Sequence, residues 1–177
     1  MRRQVIAVMI SDWEIECCAP PPVIGAESTW RLEFLAADET GNETDDDETA
    51  HEHIWTVTHD PRGTAFLERN GIHAMWNSYT TPPPPPGIHT LRGLLHGTAH
   101  GGTVPDSLTP VTGRVQRVRL VSYEFEWDPV EERTLRYREG TRILHDIREC
   151  PRGFNEGPVG PGRQNTGVLI DLAVPAR

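Results

Sequence analysis

Three groupings of reactive side chains stand out along the chain. Cys17 and Cys18 are adjacent, and with a histidine such as His100 they supply thiolate and imidazole, the donor types that zinc takes. Neighbouring residues of a strand point to opposite faces, and the two-residue gap of common structural zinc sites is missing here, so the plainer alternative is a pair of buried, inert cysteines at a strand end. His51 and His53 flank Glu52, which on a strand puts both imidazoles on one face, able to chelate a cation. A cupin-like site also needs a glycine upstream and a glutamate a few positions downstream, where this chain has Trp55, Thr56, Val57 and Thr58. Beside an acidic run, these histidines read first as solvated. His145, Asp146 and Cys150 offer the types of a base, an orienting carboxylate and a thiol nucleophile, but no nucleophile signature surrounds Cys150. No acid, base and nucleophile set converges, so no catalytic residue is assigned.

Charge narrows the choice of partners. The chain carries a formal net charge of -9, and all 17 of its basic residues are arginine. Residues 1–60 hold 14 acidic and 3 basic groups, whereas the remainder is close to balance. An acidic front repels phosphate backbones and suits a basic protein partner. The second half is locally basic through Arg114, Arg117, Arg119, Arg136, Arg138 and Arg142, and Tyr123, Phe125 and Trp127 could stack bases on the open face of a small barrel. Glu124, Glu126, Asp128, Glu131 and Glu132 neutralise that patch, and the aromatics alternate as core residues do, so nucleic-acid binding is disfavoured.

With 177 residues the chain suits one domain, 1–177, with its own core. Its longest apolar run, Val5 to Ile10, is strand-sized and far short of the roughly 20 residues that span a bilayer. Ser11-Asp12-Trp13-Glu14 puts charge and bulk where a signal peptide would have small residues at its cleavage site. Three cysteines, two of them adjacent, make a poor disulfide framework. These features together indicate a cytoplasmic protein.

The elements that must position these groups are strands. Gln4 to Ile15 is a β-branched run apolar on both faces, hence a central strand, ended by Pro20-Pro21-Pro22. Trp30, Leu32 and Phe34 alternate with Arg31 and Glu33, and His53 to His59 is a third strand stopped by Asp60-Pro61-Arg62-Gly63. Thr64 to Asn70 reads as a short helix closed by Gly71. Ile88 to His100, Gly113 to Trp127 and Gly167 to Val174 are further strands, and Thr134 to Tyr137 with Thr141 to Ile147 form a hairpin around Arg138-Glu139-Gly140. Val115, Val121, Tyr123 and Phe125 share a parity that Val118 and Leu120 do not, which calls for coverage of both faces or a bulge. The segment 38–52 is an acidic loop insertion without a large apolar residue before Ile54, and 80–87 is a proline-rich spacer. The expected fold is all-β and mostly antiparallel, a small partly open barrel (SH3-like or OB-like) or a sandwich, with at most one or two short helices.

Four segments, taken in order, resemble a mainly actinobacterial family catalogued as domain of unknown function 6578. They are Asp12-Trp13-Glu14-Ile15-Glu16-Cys17-Cys18, Val23-Ile24-Gly25 through Trp30, His100-Gly101-Gly102-Thr103-Val104-Pro105-Asp106 running on to Thr112-Gly113-Arg114-Val115, and Gly167 to Leu172. The pattern departs at Ala19 and Ala26, where the family has glycine and aspartate. The resemblance implies no reaction, cofactor or ligand.

The sequence therefore points to a non-enzymatic small-barrel module that binds a protein partner through its acidic surface. One alternative is a metal-binding domain or metalloenzyme using zinc on Cys17, Cys18 and His100; another is a nucleic-acid-binding small barrel.

Overall fold

The computed structural model describes residues 3–37, 50–99, 103–131, 133–156 and 160–176. His100 and most of the acidic insertion, 38–49, lie outside them. The described chain holds ten strands and one helix: β1 (Arg3–Ser11), α1 (Asp12–Cys17), β2 (Glu27–Ala36), β3 (His51–His59), β4 (Ala65–Arg69), β5 (Ile72–Trp76), β6 (Gly87–Thr98), β7 (Val111–Trp127), β8 (Leu135–Tyr137), β9 (Ile143–Asp146) and β10 (Gly162–Pro175). This is the all-β class expected from the alternating patterns.

The strands form one mixed sheet that closes on itself twice. The strands β1, β6, β2, β7 and β10 pair in a circuit that returns to β1, and β6, β3, β4, β5 and β2 pair in a second circuit that shares β2 and β6 with the first. Most pairings are antiparallel; β1 with β6 and β2 with β5 are parallel. The opening run is central as expected, held between β10 and β6.

Alternation explains which side of each strand faces in. Ile6, Val8 and Ile10 of β1 join Trp30, Leu32 and Phe34 of β2, Trp55 and Val57 of β3, Leu67 of β4, and Ile72 and Ala74 of β5 in one continuous core. The opposite face of β1 and its neighbours carries a smaller cluster of Ala7, Met9, Leu94, Val121, Tyr123 and Leu169. The parity conflict in β7 is resolved by a bulge: Leu172 pairs with Val115 and Asp171 with Arg117, so Gln116 is skipped and Val115 and Val118 both reach the main core.

Three local expectations are corrected. The first strand stops at Ser11, where Asp12 and Glu14 begin the short helix α1, because acidic residues suit a helix start. Thr64–Asn70 is no helix: Ala65–Arg69 is β4, joined to β5 by Asn70-Gly71 with φ of 51° and 79°, the positive values that a two-residue hairpin turn demands. Glu68 Oε1 accepts the Gly71 N–H at 2.9 Å and fixes that turn. Finally, β8 and β9 each pair with β7 instead of forming a hairpin with one another.

The proline segment between β5 and β6 lacks regular structure but is anchored. Its carbonyls accept from the Trp76 indole (Thr81, 3.1 Å) and lie 2.9 Å from His59 (Pro84) and 2.8 Å from His89 (Pro85). Prolines that donate nothing still accept. Among the described residues no helix is long and apolar enough to cross a membrane.

Candidate functional site

The sequence-predicted residues separate in space. Cys17 and Cys18 sit exposed where α1 ends, with their sulfurs against each other. The backbone turns there, with Cys18 at φ -148° and ψ -37°, which brings together side chains that a strand would have sent apart. Their proposed zinc partner His100 lies outside the described residues. Cys150 is buried, and burial pushes its thiol up to about 11, the opposite of what a thiolate nucleophile needs. His145 is exposed, and Asp146 is held by Arg117 through two bonds of 2.6 and 2.8 Å. Among the described residues no group of three or more His, Cys, Asp or Glu is placed to hold a metal ion.

Four arginines of the second half are matched to carboxylates. Arg117 pairs with Asp146, Arg119 with Asp171, Arg136 with Glu126 at 2.9 Å and Arg163 with Glu124 at 3.1 Å. Tyr123 is buried and packs against Tyr137 with ring centroids 5.1 Å apart. These groups are committed to holding β7, β8, β9 and β10 together.

At the mouth of the second strand circuit the arrangement differs. The β3 strand pairs with β6 from His51 to Val57 but with β4 only from Thr56 to His59, so on the β4 side its first half has no strand partner among the described residues. The odd positions of β3 face inward, and exposure falls along them from exposed His51 through half-buried His53 to Trp55, which is 1% exposed. Arg69, at the end of β4, shares the inward parity of Ala65 and Leu67; its guanidinium lies 5.2 Å from the Trp55 ring centroid, a cation–π distance. Behind Trp55, Phe34 makes an edge contact at 5.8 Å and itself stacks on Trp76 at 5.4 Å. A Cβ at position 93 would collide with the Phe34 ring and the Leu35 carbonyl, so Gly93 lets β6 close over this aromatic floor.

Two spaces meet at these residues. A cleft of about 700 Å³ is lined by Glu52, His53, Ile54, Glu68, Arg69 and Thr90, among others. Inward of it, a recess of about 20 Å³, the room of about one water, is walled by Ile6, Phe34, His53, Trp55, Arg69 and Gly93, among others. The Trp55 Nε1–H and the Arg69 Nε–H are both buried without an acceptor among the described residues, and no carboxylate there pairs with Arg69. A buried donor left unmet costs roughly 1–3 kcal/mol. Burial, then Arg69 and then His51 lower His53 to about 4, and burial also lowers Arg69, which nonetheless keeps its charge at neutral pH. The arrangement presents donors and positive charge to a small space: the chemistry of an anion receptor.

A second polar group lies at the far end of β1. Glu14, fully buried, accepts from the Thr98 hydroxyl at 2.5 Å and the Ala99 N–H at 3.1 Å, while Ser11 Oγ and His96 Nε2 are 3.0 Å apart. These bonds pin α1 across the end of β6, 84 and 85 residues away in sequence, and Glu14 stands fully satisfied.

His51 and His53 are legible in the sequence, but Trp55 and Arg69 as their companions are not. The available clue was Asn70-Gly71 between Leu67 and Ile72, a hairpin dipeptide that places Arg69 on the face of Leu67 and so opposite β3.

A family model described as a family of unknown function (DUF6578) matches residues 4–174. No curated protein and no solved structure matches the chain.

Proposed function

We propose that this chain, which belongs to the DUF6578 family of unknown function, is a non-enzymatic module that binds a protein partner, with the gap between β3 and β4 as its docking place. The observation that carries this reading is the open half of β3. Among the described residues, 51–55 are bound to β6 on one side only, and an unpaired strand edge is a ready template for an added strand. Ile54, 64% exposed, gives that edge an outward apolar contact, and the cationic recess gives it an inward polar one. The acidic surface of the first third would then tune the choice of partner by repelling acidic proteins elsewhere on the molecule.

Cytoplasmic residence belongs to the same reading. It is supported by cysteine usage: three cysteines, two of them adjacent and the third a buried free thiol, make no framework that ties strands together.

The test is to select extended peptides from a random library on the immobilised full chain and follow amide exchange when a selected peptide is added. Protection of residues 51–55 is expected. Binding that leaves those amides unprotected, or turnover of a small substrate by the protein, would overturn the reading.

A second reading, soft-metal binding, is favoured by one observation: the turn at Cys18 brings both sulfurs to one exposed point. Elemental analysis of reduced protein purified without added metal decides it, with absence of zinc, iron and copper as the negative result. The pairing of Arg117, Arg119 and Arg136 with carboxylates lends no support to a nucleic-acid interface.

A further inference from the structure

We propose that the recess at the base of the β3–β4 gap is a carboxylate-binding site in which the Trp55 Nε1–H and the Arg69 guanidinium hold the two oxygens and His53 closes the third side. This deepens the docking reading, on which it rests for the source of the carboxylate: an acidic side chain or chain end of the added strand. Geometry carries it. Trp55 is almost wholly buried and lines the recess, yet its indole N–H has no acceptor among the described residues, and the Arg69 Nε–H beside it has none either. Arg31 and Arg119 also leave a buried Nε–H unmet, but each reaches a carboxylate, Asp106 or Asp171, through another guanidinium nitrogen. A guanidinium fork matches the two oxygens of a carboxylate. The room is that of about one water and meets the wider cleft at His53 and Arg69, so the tip of the anion enters the recess and the rest stays in the cleft.

Binding should take up a proton. His53 faces His51 on its own strand and Arg69 on β4, with Glu52 and Glu68 lining the outer cleft; β1, β2 and β6 contribute uncharged Ile6, Phe34 and Gly93 to its surroundings. Burial, then Arg69 and then His51 oppose its protonation, and the imidazole is held neutral down to about pH 4. A carboxylate reverses the local field and raises His53, so affinity increases as pH falls from neutrality towards the range where the ligand itself protonates, near about 4 to 5.

The probe is acetate, followed through the Trp55 indole N–H resonance of the labelled full chain, which is identified by its loss in Trp55→Phe. Saturable movement is expected, tighter at about pH 5.5 than at about pH 7.5, and weakened about tenfold in Arg69→Gln. Arg69→Lys retains charge without the fork and guards against a misfolded Gln variant; it should also bind more weakly, with the remaining amide spectrum unchanged. A resonance that does not move at either pH overturns the proposal, as does binding unaltered in both Arg69 variants or phosphate binding more tightly than acetate. Acetate binding without any peptide protecting residues 51–55 would uphold the recess and sink the docking reading.

Discussion

His53 shows how a residue acquires its chemistry from neighbours that the sequence keeps apart. Its type and its spacing from His51 are visible in the chain, and a shared face for the two follows from strand geometry; their rings are 5.8 Å apart. The guanidinium of Arg69 and the burial supplied by the closing sheet come from elsewhere, so a reading of His51 and His53 as solvated imidazoles could not foresee a side chain lowered to about 4. The consequence for stability has a definite sign. The unfolded chain protonates this histidine near about 6.5, whereas the folded chain resists until about 4, so the unfolded state binds the proton first and stability falls as pH drops through that window. Above it His53 contributes no pH dependence. His53→Gln stays neutral throughout, so its denaturation midpoint should gain on that of the parent between neutral pH and about pH 4, in urea melts across a pH series. Parallel curves for the two proteins would show that His53 is not held neutral in the fold.

At the scale of the element, the β4–β5 hairpin decides whether Arg69 reaches the recess at all. A seven-residue stretch with one glycine after it is ambiguous between a capped helix turn and a strand, which is why Thr64–Asn70 reads as helical in isolation. The Asn70-Gly71 dipeptide resolves it, because both residues sit at positive φ and the flanking strands pair from Arg69↔Ile72 to Phe66↔Met75. The strands most legible in the sequence are β2, by its alternation, and β7, by its length, while β8 and β9 are short and take their positions from β7 instead of from their own turn. Position 71 tests the hairpin. Alanine there must adopt a φ of 79°, at a cost of roughly 1 kcal/mol, and the strain would loosen the register that holds Arg69 over Trp55. Gly71→Ala is expected to lower thermal stability by a few degrees, about 2–8 °C for such a cost, and to weaken acetate binding, while Gly71→Asn, which tolerates positive φ better, should retain more of both. An unchanged melting temperature in Gly71→Ala would mean that the turn is free to re-form in another geometry.

For the whole molecule, the question is whether two closed circuits of strands make one cooperative unit or two. Sequence order is silent on this: the parallel pairings of β1 with β6 and β2 with β5 join segments more than 40 residues apart, and no local pattern announces them. The core argues for one unit. Ile6, Val8 and Ile10 from β1, which belongs to the first circuit alone, lie in the same buried cluster as Trp55 and Leu67, which belong to the second alone, and β2 and β6 contribute Phe34 and Leu95 to both. Separating the circuits would expose the apolar faces of the two strands they share, at roughly 25 cal/mol for each Å² uncovered, so opening one should destabilise the other. The best-protected amides of β10, which only the first circuit contains, and of β4, which only the second contains, are therefore expected to exchange through the same global event. Under native conditions with rising denaturant their exchange free energies should converge on one line with one slope. If β4 exchanges by a cheaper opening with a smaller slope, the second circuit is a separable unit that can open around its recess, and the rigid strand edge assumed for partner docking gives way to one that orders only on binding.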